Sequence, residues 1–274
     1  NSTILNIFNP NTELIYPGKI ITIASILDGS YISPANISGK RKNFNVGLNS
    51  SSVSNGTLIK TIMAENKSDN ENIIAVKSAR DEIVINSFPN DVKFGGSSSF
   101  ESSSIYSKSE FAISAGVGLK VDAISLSANA SFGNRNSTEK NKIVSKYINH
   151  AYTMSLTSDY DNLLNIDNIP DDYCVISDVL YGQIGYLETE SFDKVDSMFV
   201  HIDAAAGYGG VSGNANFDLT NYMKEKQYSI KGKVYGGRGN FSMESSVADI
   251  EKLRLMVQGS DQSFKATDPV VPIS

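Results

Sequence analysis

Phe111-Ala112-Ile113-Ser114-Ala115-Gly116-Val117-Gly118-Leu119-Lys120-Val121, then Asp122-Ala123, then Ile124-Ser125-Leu126-Ser127-Ala128-Asn129-Ala130-Ser131-Phe132, alternates apolar residues with small or polar ones. One face carries Phe111, Ile113, Ala115, Val117, Leu119 and Val121, and after a one-residue slip Ile124, Leu126, Ala128, Ala130 and Phe132. Strand side chains alternate with period two, so the slip is what a hairpin turn at Lys120–Ala123 produces. A second stretch, Lys194–Thr220, repeats the design. Met198, Val200, Ile202, Ala204 and Ala206 run into Gly207-Tyr208-Gly209-Gly210, followed by Val211, Gly213, Ala215, Phe217 and Leu219. Its other face holds His201, Asp203, Ser212, Asn214, Asn216 and Asp218. Each arm is roughly nine to eleven residues, the length of a tilted strand crossing a bilayer. At helical spacing, Val195, Met198, Phe199, Ile202 and Ala206 form one stripe, as do Phe111, Ala115 and Leu119. A segment that fits two structures points to a protein that changes shape, although ordinary solvent-facing hairpins alternate too.

At 274 residues the chain is long enough for a sizeable core in one large domain or a few interleaved ones. A net charge of −6 with a sequence pI near 5.0, and no Lys/Arg cluster beyond Lys40-Arg41-Lys42, argues against nucleic-acid binding. Cys174 is alone, so no intrachain disulfide forms, and its apolar neighbours read it as a small buried hydrophobe. No stretch approaches the roughly 18 apolar residues of a membrane-spanning helix. The opening at Asn1 and the abundant Ser and Asn fit a mature or trimmed, exported, soluble form. His150 and His201 have no metal-ligand spacing and read as surface or pore-face residues. Gly207–Gly213 lacks the Lys-Ser/Thr ending of a phosphate loop. No enzyme, catalytic residue, metal or cofactor is expected.

Along the chain, Ser2–Phe8 and Leu14–Leu27 read as extended strands around Pro17-Gly18, and Asn43–Leu48 as another. Asn70–Ile85 is a helix with Ile73, Val76, Ala79 and Ile83 on one face, stopped before Pro89. Gly95-Gly96-Ser97-Ser98-Ser99 leads into a sheet edge through Phe100 and Ile105. Lys142–Leu156, Tyr173–Thr189 and Ser229–Tyr235 are long strands, the last ending in Gly236-Gly237, and Ser246–Gln258 is a capped helix. The class is α+β, dominated by long antiparallel strands that flank both dual-reading stretches.

Several landmarks then fall in the order seen in the cholesterol-dependent cytolysins, bacterial thiol-activated pore-forming toxins, which the chain resembles from about Leu14 to Ser274. Ile15-Tyr16-Pro17-Gly18 is similar to the family's Leu-Tyr-Pro-Gly. Ser104–Ser109 resembles the approach to its first transmembrane hairpin, and Glu139–Lys142 through Tyr152–Ser155 the strand leaving it. Tyr173–Gln183 followed by Leu187–Ser191 resembles Tyr-Ile-Ser-Ser-Val-Ala-Tyr-Gly-Arg and its sequel, with Gln183 in place of the Arg. Gly236-Gly237 matches a diglycine at the bend of the central sheet, and Asp268-Pro269 with Pro272-Ile273-Ser274 its Asn-Pro and Pro-Ile-Ser.

The resemblance implies a bent, twisted antiparallel sheet flanked by helical clusters that convert to transmembrane β-hairpins, the fold shared by the membrane-attack-complex and cytolysin proteins. It implies a domain-2-like strand region at 1–30, a domain-1-like body at 31–97, 149–179 and 259–274, and a domain-3-like pore-forming part at 98–148 and 180–258 with hairpin regions 106–133 and 194–220. Lipid would meet Phe111, Ile113, Val117, Leu119, Val121, Ile124, Leu126, Phe132, Met198, Val200, Ile202, Val211, Phe217 and Leu219. Gly236 and Gly237 would be the sheet hinge, and Phe100 would align neighbouring subunits against Tyr228 or Ile230. Secreted monomers would gather on a target membrane as a homo-oligomeric ring, in virulence or bacterial antagonism. The chain has no Trp, unlike the family's cholesterol-binding loop. It therefore resembles a short cytolysin-like member without that C-terminal domain, to which a second cytolysin-like chain would supply membrane recognition. A non-inserting partner or binding subunit of a two-component system is the alternative.

Overall fold

The computed structural model describes residues 8–10, 14–27, 30–49, 58–88, 92–104, 119–121, 140–207, 213–237, 241–245, 254 and 263–273. In chain order these form β1 (Phe8–Pro10), β2 (Ile20–Thr22), α1 (Ile23–Leu27), β3 (Phe44–Asn49), β4 (Ile59–Ile62), α2 (Asp69–Ser87), β5 (Ser97–Ser104) and β6 (Leu119–Val121). There follow β7 (Asn141–Leu156), β8 (Tyr173–Val175), β9 (Asp178–Ser191), α3 (Val195–Ala206), α4 (Gly213–Glu225), β10 (Ser229–Tyr235), β11 (Phe241–Ser245) and β12 (Val271–Pro272).

β7 and β9, 16 and 14 residues long, form the spine of a curled antiparallel sheet. Every neighbour of the spine changes at one level. Above it, β7 pairs with β3 and β9 with β12; below it, β7 pairs with β5 and β9 with β10. At that level the β7–β9 register slips between His150 and Tyr152, leaving Ala151 as a bulge, which raises the local twist and bends the strand. Two hydrophobic cores lie on either side. The upper one gathers Tyr16, Phe44, Val46, Val76, Ile83, Phe94, Tyr152 and Met154; the lower one gathers Ile143, Tyr147, Leu187, Met198, Ile202, Tyr228 and Ile230.

α2 forms where the sequence signals it. Ser68 and Glu71 make a reciprocal capping box, and the backbone leaves the helix at Phe88, before Pro89. Its Val76 and Ile83 are buried, with Ile73 and Ala79 packed beside them. The Tyr16-to-Lys19 turn is fixed to the start of this helix: the Tyr16 hydroxyl donates to Asp69 Oδ1 at 2.6 Å and Lys19 Nζ lies 3.1 Å from Oδ2. Burial pushes the Lys19 ammonium down, against the pull of Asp69.

Three departures from the expected elements appear, the first two with local causes. Leu14–Leu27 is not extended throughout, because Thr22 and Ser25 exchange backbone-to-hydroxyl bonds at 3.2 Å and open α1 at Ile23. Tyr173–Thr189 is two strands, interrupted where the Ile176 carbonyl accepts from Gly18 N and the Ser177 carbonyl from Leu156 N, both at 2.7 Å. Leu119–Val121 overlaps the expected turn yet forms β6, paired with Phe8–Pro10. Of Ser246–Gln258 only Arg254 is described, and it is helical. Residues 1–7 of the opening strand lie outside the described residues.

Candidate functional site: the sheet waist and the helices below it

The waist is tight because backbone meets backbone. A Cβ placed on Gly182 would stand 2.0 Å from the Asn149 carbonyl oxygen and 3.1 Å from Ala151 N, the bulged residue of the opposite strand. Gly236 and Gly237 end β10 with φ of +78° and +74°, the left-handed region that glycine enters without strain. Gly237 N donates 2.7 Å to the Pro269 carbonyl, and Gln183 Nε2 donates 3.3 Å to the Gly236 carbonyl. A side chain on Gly237 would meet the Gln183 amide at 2.5 Å. The diglycine therefore both terminates β10 and is a packed piece of the bend, and Gln183 bonds directly to it.

Below the waist the described part of the second dual-reading stretch forms α3 and α4. Met198 and Ile202 are 0% exposed against the sheet, Ala205 and Ala206 are buried with them, and Val195 and Phe199 pack at the margin, the stripe expected at helical spacing. Burying a side chain the size of Met198 or Ile202 stabilises by about 1.5–3 kcal/mol, so α3 is firmly seated. Val200 faces solvent at 65% exposure. A charge at Ile202 therefore disrupts the lower core as well as any membrane face. α3 ends at Gly207 with φ +89°, and Arg254 Nε and Nη2 donate to the Ala205 and Ala204 carbonyls at 3.1 and 3.3 Å.

The other expected residues divide in two. Leu219 is buried, and Phe217 lies in α4. Leu119 and Val121 lie in β6, whereas Phe111, Ile113, Val117, Ile124, Leu126, Phe132 and Val211 lie outside the described residues. Phe100, Tyr228 and Ile230 all belong to the lower core of the same chain, with Phe100 at its margin.

A polar knot sits at the foot of this core, and sequence reasoning missed it. Asp193, 7% exposed, accepts from the Tyr228 hydroxyl at 2.8 Å and the Tyr222 hydroxyl at 3.0 Å through Oδ2, and from Lys194 N at 2.9 Å through Oδ1. His201 Nδ1 lies 3.2 Å from the same Oδ2, and its ring rests 4.4 Å from that of Tyr222. His201 is thus half-buried and partnered, not free on the surface. Burial alone would raise the Asp193 carboxyl, but Tyr228, Tyr222, the Lys194 amide and His201 together hold it below the usual carboxylate range. A carboxyl lowered on folding adds stability above its unfolded value near 4 and loses it as pH falls through the folded value. The stability gap between the native chain and Asp193→Asn, followed by urea unfolding, is therefore expected to shrink as pH drops below about 4.

No protein-family model matches this sequence, and no curated protein matches it. Solved structures do. The human-specific toxin intermedilysin superposes with a TM-score of 0.67 at 22% identity, covering 97% of this chain and 56% of the toxin. The cytotoxin suilysin from Streptococcus suis gives 0.66 at 17%, covering 98% and 58%, and a Gram-negative toxin 0.67 at 14%, covering 98% and 58%. The fold is that of the cholesterol-dependent cytolysins. This confirms the expected bent sheet with flanking helices, and the chain spans a little over half the length of the toxins it matches. Among the described residues no helix is long and apolar enough to cross a membrane, which leaves crossing by strands open.

Proposed function

We propose that this chain is the pore-forming subunit of a secreted bacterial cytolysin-like protein, which gathers on a membrane and inserts residues 106–133 and 194–220 as two β-hairpins of a closed barrel. The register of the folded sheet carries the reading. Partners in an antiparallel ladder share a face, so a register continued past the strand ends says which residues would stand side by side. From Glu190 opposite Ser229, β9 and β10 continue to Val200 opposite Leu219, Ile202 opposite Phe217, and Tyr208 opposite Val211. Gly209-Gly210 is left as a two-residue turn, the composition such turns favour. From Ser104 opposite Ile143, β5 and β7 continue to Ala115 opposite Phe132, Val117 opposite Ala130 and Val121 opposite Leu126, with Asp122–Ser125 at the tip, slightly later than the alternation alone placed it. From Asn141 opposite Ser191, β7 and β9 continue to Phe132 beside Val200, Ala130 beside Ile202 and Ile124 beside Tyr208.

Continued in this way, the three registers support a reading in which the apolar set of all four arms shares one face and both tips reach one depth. Lys142, Glu188 and Glu190 lie on that same face higher up, with Lys142 Nζ 2.6 Å from Glu190 Oε1, forming a charged belt where lipid would give way to water. A hairpin in lipid must pair every backbone group, which only a closed barrel allows. Among the described residues β5 has no strand on its outer edge, while β11 covers that of β10. Ring closure on this reading requires β11 to swing away about Gly236-Gly237 so that β10 pairs with a neighbour's β5. Because the registers within one subunit are level, the stagger a barrel needs falls at that seam, in an even number of residues. Phe100 opposite Tyr228 or Ile230 satisfies this parity.

Residues 98–148 and 180–258 would be the inserting unit, carried by a body at 31–97, 149–179 and 259–274 and a strand region at 1–30. A second cytolysin-like chain would supply membrane recognition, and the alternative is a subunit that binds without inserting.

The decisive test places single cysteines at successive positions from Val195 to Ala206 in a Cys174→Ser background. Each carries an environment-sensitive dye, and the tagged chain is tethered to phosphatidylcholine vesicles bearing a nickel-chelating lipid. Apolar signals at Met198, Val200, Ile202 and Ala204 alternating with aqueous ones are expected; helical periodicity or a wholly aqueous profile overturns the reading. A disulfide between cysteines replacing Lys231 and Glu244, which stand opposite each other in β10 and β11, is expected to abolish ring formation until reduced. Rings seen in electron micrographs with the bond intact would remove the proposed edge exchange.

A further inference from the structure

Four elements meet through side chains at the foot of the lower core. Asp193 follows β9, His201 lies on α3, Tyr222 on α4, and Tyr228 precedes β10. One carboxylate oxygen, Asp193 Oδ2, gathers both tyrosine hydroxyls and the histidine nitrogen within 3.2 Å, and His201 Nδ1 also lies 3.3 Å from the Tyr228 hydroxyl. Backbone bonds close around it: Asp193 N donates to Ser191 Oγ, Ser191 Oγ donates to the Lys226 carbonyl, and Asn141 Nδ2 donates to the Asp193 carbonyl at 2.7 Å.

We propose that Asp193, His201, Tyr222 and Tyr228 form a latch that holds residues 195–225 in their helical state. The inference rests on the reading of that segment as a hairpin in waiting. The apolar seat of α3 holds by burial, which has no direction, whereas the knot adds directional bonds that tie both helices to both strands at one point. The continued β9–β10 register shows that the extended form cannot keep it. Tyr228 comes to stand opposite Ser191, Tyr222 opposite Ser197, Asp193 opposite Lys226 and His201 opposite Asp218. Tyr222 is carried to the level of Ser197 and His201 further still from Asp193, so both leave its carboxylate, and only Tyr228, two residues from Lys226, stays within diagonal reach. The two ionisable groups at the heart of the knot, Asp193 and His201, each acquire a partner of the opposite kind on the water-facing side, so opening exchanges one set of polar contacts for another rather than leaving charges bare.

Hydrogen exchange of the full chain in solution tests this without a membrane. Asp193→Ala is expected to speed amide exchange in 195–206 and 213–225 by about tenfold or more while β7 and β9 stay as protected as before. Tyr222→Phe, which removes one donor but keeps the ring on His201, is expected to move the same amides less, and it carries the test if Asp193→Ala does not fold. Unchanged helical exchange, or equal acceleration throughout the sheet, overturns the latch. Dye-labelled chain tethered to the nickel-lipid vesicles separates this outcome from the fate of the hairpin reading. Faster helical exchange with no insertion by either protein keeps the latch and removes the hairpin; insertion with unchanged exchange does the reverse.

Discussion

Val200→Arg is expected to leave the soluble protein unaltered and to remove membrane permeabilisation. Val200 is 65% exposed on α3, and Arg is a good helix former, so the thermal midpoint should stay where it is. In the proposed extended arm the same position would stand opposite Leu219 and beside Phe132 on the lipid face. A cation there costs about 2–4 kcal/mol per subunit near the bilayer midplane, roughly 30- to 1,000-fold in equilibrium for each subunit of a ring. Dye release from nickel-lipid vesicles carrying the tethered chain is the measurement, and lysis at the native rate would place Val200 off the lipid face. Ile202→Arg is the contrast. Its side chain is 0% exposed, so it should lose the soluble fold and the activity together. The pair separates damage to the monomer from damage to the inserted state.

Gly182→Ala has the largest expected effect on the fold itself. The added methyl would overlap the Asn149 carbonyl at 2.0 Å, and backbone atoms of β7 cannot rotate aside as a side chain can. Relief requires prising β7 from β9 at the bulge, where the spine holds the two cores in register, and a loss of about 3 kcal/mol or more follows. Gly185→Ala, three residues further along the same strand, meets only side-chain atoms, Val234 Cγ2 at 3.1 Å and Tyr147 at 3.6 Å. It should cost under about 1.5 kcal/mol. Urea midpoints of the two variants give the comparison. Equal losses would mean that the waist is no tighter than the rest of the sheet.

Much of the architecture is legible in the chain because its signals are local. The Ser68 and Glu71 box announces α2, alternation announces β7 and β10, and the apolar stripe from Val195 to Ala206 announces a helix as clearly as its even-numbered residues announce a strand. The short helix at Ile23 escaped because its box is Thr22 with Ser25, a weaker form of the motif, set in a β-branched run. Asp193 escaped altogether. It lies at the end of β9, and nothing near it in sequence predicts that a tyrosine and a histidine from two helices, and a second tyrosine from the turn into β10, will close on its carboxylate.

By itself the sequence determined the parity of each arm, the glycines at the bend and the ambiguity of residues 194–220, because periodicity and β-carbon sterics act between near neighbours. Which of the two structures that segment adopts in the folded chain, which strands lie side by side and at what register, and which carboxylate gathers the helices were decided only by the tertiary structure. Those depend on contacts between residues far apart in the chain, where a one-residue shift in register would reverse every face while leaving every local signal as it was.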